Sequence, residues 1–531
     1  MLRRFLALFS FSLICAGWAV PLAADNRPNI ILILADDMGY SDIGSFGGEI
    51  ATPSLDQLAR EGLRFTQFYN CGVCVTTRSG MYTGLYPRFP GEASAANSSL
   101  RPEMTTLGSV LKAAGYQTAM TGKWHLGHDS PRRPIDRGFD EFYGLLDGCC
   151  NFFNPAQPDP EFYNGGLVRH FAHNAETITS FPEAYYATDA FTDHAIATLE
   201  RYAATGRPFF LNINYTAPHF PLHAREEDMA RYRGQYRGGY ERLRRDRYAR
   251  QIRSGLFNPN AAWLSAADAK ASDFRYDNDI VPWTDLDPDT RRLEEARMEA
   301  YAAMVDRMDQ GIGRVMQALE ASGEADNTIV IFFSDNGGCA SWPTEDVEPE
   351  FVNYNEGIPV GDGRGYEFVG KAWGWAQNAP FRRHKVWTYE GGIATPMIVR
   401  WPERVAAGTL TRQPGHVIDL MPTFVELAGA EYPQTREGRE VPPMEGRSLL
   451  PIWEGGRREA PDMGWALFSN YAWREGDRKI VFNRSRQEWE LYDLKGDRTE
   501  TRNLAKQNPA EVERMVAAWW KWAERCGITK M

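Results

Sequence analysis

Four apolar runs in this sequence break off into polar residues able to do chemistry. NIILILADDMGYSD (29–42) ends on Asp36 and Asp37, and YQTAMTGKWHLG (116–127) on Lys123 and His125. PFFLNINYTAPHFPLH (208–223) reaches His219, and NTIVIFFSDNGG (327–338) ends on Asp335 and Asn336. Asp36, Asp37, Asp335 and Asn336 offer only oxygen atoms, the donor set of a hard divalent cation, whereas Zn2+ usually recruits His or Cys. Two adjacent aspartates at one strand end repel each other unless a cation sits between them. Ca2+ is the first choice of ion and Mg2+ the second. Each acidic pair could instead cap a following helix, but two such pairs at two strand ends favour the metal. Lys123, His125, His219, Arg78 and Lys385 add cations and proton donors. Any one alone reads as an ordinary surface or core residue. Beside an acidic metal site, the five describe a pocket for a tetrahedral oxyanion, with the cations on its oxygens and a histidine protonating the leaving group.

The set lacks an obvious nucleophile, which draws attention to YNCGVCVTTRSGMYTGLYPR (69–88). Cys71 and Cys74 are spaced like a dithiol redox pair, but they follow a predicted helix and loop rather than ending a strand. A zinc knuckle needs a second pair at suitable spacing, and the adjacent Cys149 and Cys150 suit that poorly.

The elements that must position these groups are legible as patterns. Apolar runs without alternation suit strands buried on both faces, as in a parallel sheet. In an open α/β sheet the ligand site lies beyond the carboxyl ends of the strands, so four polar clusters at four strand ends can converge on one crevice. LDQLAREGLRFTQFY (55–69) has helical spacing at Leu55, Leu58, Ala59 and Leu63, and TLGSVLKAAG (106–115) is a helix stopped by Gly115. The Arg- and Tyr-rich stretch 225–253 reads as a solvated helix-loop excursion. Residues 294–323 form a long amphipathic helix whose Met298, Tyr301, Ala302, Met308, Ile312 and Met316 read as core. TPMIVRWP is a further short strand. After Leu427-Ala428-Gly429 the texture changes to short strands, MGWALFSN, RKIVFNR and EWELYDL, closed by the helix PAEVERMVAAWWKWAERCG. The expected organisation is a leader at 1–24, a catalytic domain at 26–430, and a small domain at 431–531 with an antiparallel sheet and a final helix.

The chain has 531 residues and a net charge of −11, which argues against a nucleic-acid partner but not against a local cationic pocket. Its first residues, MLRRFLALFSFSLICAGWAVPLAAD, have the basic start, apolar run and small residues of a secretory signal peptide. The expectation is a secreted or periplasmic protein with no transmembrane segment once the signal is removed. Cys15 leaves with the leader, and the sequence does not pair the other six cysteines.

CVTTRSGMYTG (74–84) resembles the signature of the type I, formylglycine-dependent sulfatases, which are arylsulfatase-like members of the alkaline phosphatase superfamily. GKWHLG (122–127) resembles their second signature. ILADDMGYSD, APHFPLH, FFSDNGG, RRHKVWTYEGGIATPMIVRWP and EWELYDLKGDRTETRNLA match further family blocks in order, so the resemblance spans essentially the whole mature chain. It implies an α/β fold with a large mixed, mostly parallel sheet sandwiched by helices. It also implies hydrolysis of sulfate esters, with sulfated carbohydrates as the expected substrates and small aryl sulfates as simple analogues. By resemblance, a formylglycine-generating enzyme oxidises Cys74 to Cα-formylglycine, while Cys71 is incidental. One hydroxyl of the hydrated aldehyde attacks sulfur and the other expels sulfate, whereas an ordinary serine would be trapped as its sulfate ester. Carried over to this chain, Asp36, Asp37, Asp335, Asn336 and modified Cys74 bind the metal, and Arg78 stabilises the alkoxide. Lys123 and Lys385 hold sulfate oxygens, His125 assists elimination, and His219 with Lys385 serves the leaving alcohol. Thr76 stands where the family has Pro or Ala. Conversion is still expected, because a β-branched residue also favours extended backbone. The competing readings are a phosphonate monoester or phosphodiester hydrolase of the same superfamily and an inactive sulfatase-like glycan binder. The filled ligand positions argue against the latter. Specificity would come from the walls at 145–190, 225–290 and 340–378.

Overall fold

The computed structural model describes residues 27–87, 100–264, 280–343 and 346–528, so the expected leader lies outside the described residues. The strand β1 (Asn29–Ala35) shows how the sequence builds the centre. Its Ile31, Ile33 and Ala35 enter one hydrophobic core and its Ile30, Leu32 and Leu34 the other. Each such buried side chain contributes roughly 1.5–3 kcal/mol, so a run without alternation is stable only between two layers.

The remaining strands of the large sheet are β2 (Leu63–Tyr69), β3 (Gln117–Gly122), β4 (Glu141–Leu145), β5 (Phe171–His173), β6 (Glu176–Thr177), β7 (Phe209–Asn214), β8 (Thr328–Ser334), β9 (Ala394–Arg400), β10 (Thr409–Thr411) and β11 (Gly415–His416). Their order is β10-β2-β9-β8-β1-β7-β3-β4-β5-β6, with β11 also on β2. The neighbours β8, β1, β7, β3 and β4 are all parallel. β9 is antiparallel to β8 and β2, and β5 to β4 and β6. The four polar clusters therefore follow four adjacent parallel strands and emerge at one edge of the sheet. The helix Pro288–Ala321 packs beneath that edge, with Met298, Tyr301, Ala302, Met308 and Ile312 buried and Met316 at the core margin.

Two expectations are corrected. The helical pattern over 55–69 ends early, because the helix stops at Glu61 and LRFTQFY forms β2 against β9. Gly62 makes the switch. It is extended, and a Cβ there would lie 2.3 Å from the Val399 carbonyl oxygen. The stretch 225–253 is not a solvated excursion. Its helix Gly239–Arg253 buries Arg244, Arg247 and Gln251 completely. Arg244 donates to the carbonyls of Trp375, Pro380 and Phe381, and Arg247 pairs with Asp42 and Glu49.

Beyond the large sheet come the hairpin β12 (Thr435–Arg436) and β13 (Arg439–Glu440), then the antiparallel sheet β14 (Met463–Leu467), β15 (Asn470–Glu475), β16 (Arg478–Asn483) and β17 (Glu488–Asp493). The helix Pro509–Arg525 lays Met515, Trp519 and Trp522 against Trp473, Ile480 and Leu491. Residues 449–453 still pack into the core of the large sheet, and the small sheet begins at Met463. Among the described residues no helix is long and apolar enough to cross a membrane.

Candidate active site

The site is assembled where β1 and β8 end side by side. The Asp335 amide donates to the Ala35 carbonyl at 3.1 Å, and the Asp37 amide donates to Asp335 Oδ1 at 3.3 Å. Asn336 Nδ2 donates to Asp37 Oδ1 at 2.7 Å. Four oxygen-bearing side chains thus share one buried basin, each at most 1% exposed. Asp36 Oδ1, Asp37 Oδ2 and Asn336 Oδ1 are buried with no hydrogen-bond partner. A buried unpaired acceptor is costly. Three together, with an oxygen-only donor set, fit a hard divalent cation.

Cations ring these acids. Lys123 Nζ stands 2.5 Å from Asp36 Oδ2, and Lys385 Nζ stands 2.6 Å from Asp37 Oδ1. The Arg78 guanidinium lies 2.9 Å from Asp335 Oδ2 and 3.9 Å from Asp36 Oδ2. Arg78 also donates to the Lys123 carbonyl at 2.6 Å, and Asn214 Nδ2 donates to the same oxygen at 3.1 Å, which fixes the turn after β3. His219 Nε2 is 3.4 Å from Asp37 Oδ2. Its Nδ1 lies 2.6 Å from the Phe220 carbonyl, an acceptor only, so Nδ1 carries the proton and Nε2 faces the basin.

Cys74 opens the helix Cys74–Thr83, and its Sγ lies 3.4 Å from His125 Nδ1. A helix start favours negative charge on the group placed there. Both threonines of the motif hold the preceding turn. Thr76 Oγ1 lies within donating distance of the Cys71 and Val73 carbonyls, and Thr77 Oγ1 accepts from the Cys71 amide at 3.0 Å. Cys71, Cys74, Cys149, Cys150 and Cys339 are free thiols.

The electrostatics follow from crowding. Burial, then the neighbouring Asp335 charge, pushes Asp36 up to about 8 against the pull of Lys123 and Arg78. Burial also works to raise Asp37, but His219 and Lys385 hold it below the usual carboxylate range. Burial, reinforced by Lys123 and Arg78, takes His125 well below the ordinary imidazole range. Burial does the same to His219, with Asp37 opposing and Lys385 adding. Burial raises the Cys74 thiol, so the encoded side chain is a poor source of thiolate.

The basin opens into a cavity of about 420 Å3. Cys74, His125, His219 and Lys385 line its floor, and Tyr163, Arg169, Phe220, Trp342, Phe368 and Phe468 line its walls. Asp36, Asp37, Cys74, Arg78, Lys123, His125, His219, Asp335, Asn336 and Lys385 therefore lie in or beside one basin. Sequence reasoning missed the supports. Tyr301 donates to Asp42 Oδ2 at 2.7 Å, Arg247 pairs with Asp42 and Glu49, and Ser334 Oγ accepts from the Met38 amide at 3.1 Å. It also missed Arg169, which pairs with Asp159 and stacks on Tyr163. No local spacing marks Tyr301, Arg247 or Ser334, because their partners lie more than 190 residues away.

Residues 28–430 match the family model described as Sulfatase, and residues 381–521 match that of the N-sulphoglucosamine sulphohydrolase C-terminal region. An uncharacterized sulfatase of Schizosaccharomyces pombe is 32% identical over 545 residues, covering 95% of each chain. The arylsulfatase of Klebsiella aerogenes is 32% identical over 460 residues, covering 83% of this chain and 95% of its own. Among solved structures, Ps i-CgsB superposes with a TM-score of 0.67 at 26% identity over 94% of this chain and 93% of its own. It has also been solved in complex with k-i-k-neocarrahexaose.

Proposed function

This chain belongs to the sulfatase family and is a sulfuric ester hydrolase, and from that premise we propose that it is an exported enzyme that removes sulfate from sulfated carbohydrate, using formylglycine made from Cys74 and a bound Ca2+. Three orphaned oxygens, a helix-initiating Cys74 and five cationic or imidazole side chains in one basin carry this reading. The neighbour solved with k-i-k-neocarrahexaose supports the substrate class. The leader-like first residues support export.

Asp36, Asp37, Asp335 and Asn336 would hold the cation together with residue 74, and the ion supplies positive charge for the carboxylates and for oxygen ligands of the reacting group. Formylglycine, once hydrated, supplies a hydroxyl nucleophile that can be released again, which a serine cannot match. The chain's own residues do the rest. Lys123 and Lys385 keep their charge beside Asp36 and Asp37 and offer ammonium donors to sulfate oxygens. Arg78, fixed by Asp335 and the Lys123 carbonyl, holds its guanidinium beside the reacting group. His125 accepts or returns a proton at the side chain of residue 74. His219 has its Nδ1 proton committed to Phe220, so its Nε2 is the atom that takes up a proton from solvent and, as the imidazolium, delivers it to the leaving alcohol.

The test is sulfate release from defined sulfated oligosaccharides by protein whose residue 74 has been verified as converted, set beside a matched aryl sulfate and aryl phosphate diester. The sulfate esters should turn over with the higher kcat/KM. Dominance of the diester would replace this reading with a phosphodiesterase. Glycan binding without release would replace it with a binder.

A further inference from the structure

The catalytic basin is recognisable by buried polar atoms that lack a protein partner, and the same mark recurs at the far edge of the sheet. Glu141 starts β4, and His173 ends β5, facing Tyr143 in the antiparallel pair. Glu141 and Tyr143 are two residues apart on one strand, so Glu141 lies on the same sheet face as Tyr143. The helix Ala187–Ala203 crosses above and brings in His194, whose side chain is 13% exposed. The Nε2 of His194 is 3.0 Å from Glu141 Oε1, yet neither of its buried ring nitrogens makes an aligned hydrogen bond. The candidate donor atoms of Glu141, His173 and His194 all lie within 4.8 Å of one another.

Ring orientation decides what such a cluster can bind, because a metal lies close to the plane of each imidazole that holds it. The His173 and His194 rings stand 5.9 Å apart with planes crossing at 86°. Crossed planes share a line on which one ion can lie in both. Another cluster, His128, Asp147 and His170, lacks this property, because its rings are stacked 4.0 Å apart at 5°. Bonds of about 2.0–2.2 Å place tetrahedral donors roughly 3.4 Å apart, so small rotations of the exposed His173 bring the crossed set onto one ion. Arg201 approaches Glu141 from solvent, with one nitrogen 2.7 Å from each carboxylate oxygen. It can keep Oε2 while Oε1 turns inward, as an outer partner that orients a ligand.

We propose that Glu141, His173 and His194 form a second metal site, chemically distinct from the oxygen-only basin, which takes a borderline divalent ion such as Zn2+ and leaves the fourth position to water. The ion ties β4 and β5 to the helix above them, and the site does not depend on how the basin works.

The test uses the full chain with Ca2+ present, titrated with Zn2+ alone by equilibrium dialysis, with thermal unfolding in parallel. One tightly bound Zn2+ per chain is expected, with a rise in Tm, since a ligand of the native state stabilises it. His173→Ala and His194→Ala should each weaken binding by about 100-fold or more and abolish the Tm rise. His128→Ala and His170→Ala should leave both intact. His173 is exposed, so its variant keeps the fold, which circular dichroism verifies. Absence of Zn2+ uptake by the wild type, undiminished uptake by His173→Ala, or loss of uptake on replacing His128 or His170 would each overturn the proposal.

Discussion

A histidine buried among cations holds a second proton weakly, so its imidazolium gives that proton up readily to a leaving alkoxide. His219 is such a group, with burial, Lys385 and Lys123 lowering its affinity for a proton against Asp37 and the Phe220 carbonyl. His219→Ala should therefore cost about 10²–10³ in kcat on a sugar sulfate, whose alkoxide needs the proton, by analogy with other single active-site donors. An aryl sulfate with an acidic leaving group should lose much less, and equal losses on both substrates would remove His219 from that role. Asp36 supplies a second prediction at this scale. Its pKa of about 8 without a cation lies above its unfolded value, so between about pH 4 and 8 a bound cation must displace a proton from it. Ca2+ affinity, and the Tm increment Ca2+ produces, should rise with pH and level off above about 8. A flat profile from pH 5 to 8 would contradict the assignment of Asp36 as a ligand. Most of these residues were legible because polar types at the ends of apolar runs stand out. Arg78 and Lys385 sit at no strand end, and the fold alone brings them against Asp335 and Asp37.

Elements hold the reacting atoms through close backbone approaches that leave little room. Lys123 follows Gly122, whose φ of 96° brings the Asn214 carbonyl oxygen to within 1.9 Å of where a Cβ would stand. Gly148 plays the same part for His125, because a Cβ there would lie 2.8 Å from the imidazole ring. Gly148→Ala should push the ring away from residue 74 and lower kcat about 10²-fold, the scale of a 1 Å misplacement, while the Tm moves little. A variant with normal turnover would show that His125 has slack. The parallel strands could be read from their unbroken apolar runs, since only two-sided burial supports them. β2 could not, because LRFTQFY continues the spacing of the helix before it and only the long-range pairing with β9 overrides that pattern. Arg247 was unreadable for the same reason. Its partner Asp42 lies 205 residues away, and an arginine-rich helix looks solvated until its contacts are known.

At the scale of the molecule, the small C-terminal sheet is locked to the large one by a buried ionic cluster. Lys479 on β16 lies 2.8 Å from Glu390 Oε1 and 2.7 Å from Glu500 Oε1, with all three side chains fully buried. Burial, with the Glu390 charge, pushes Glu500 up to about 7, while Arg498 and Lys479 overcome burial to hold Glu390 at about 2. Lys479→Met would leave two buried carboxylates facing each other and should cost about 3–5 kcal/mol, as breaking a buried pair does. Protonation relieves that repulsion, so the loss should be greater at pH 8 than at pH 5. Equal loss at both would show that the cluster is not the source. The change of texture near residue 430 made a second sheet legible, but not this lock, which needs Lys479 of β16, Glu390 from the helical turn before β9 and Glu500 from the loop after β17 in one place. Turnover hinges on the side chain of residue 74, and sulfate release measured against the converted fraction of that residue tests this most directly. Preparations made with graded amounts of formylglycine-generating enzyme, with conversion read by peptide mass, should release sulfate in proportion to conversion and none at zero. Undiminished release from protein with only intact Cys74, or no release from fully converted protein, would contradict it.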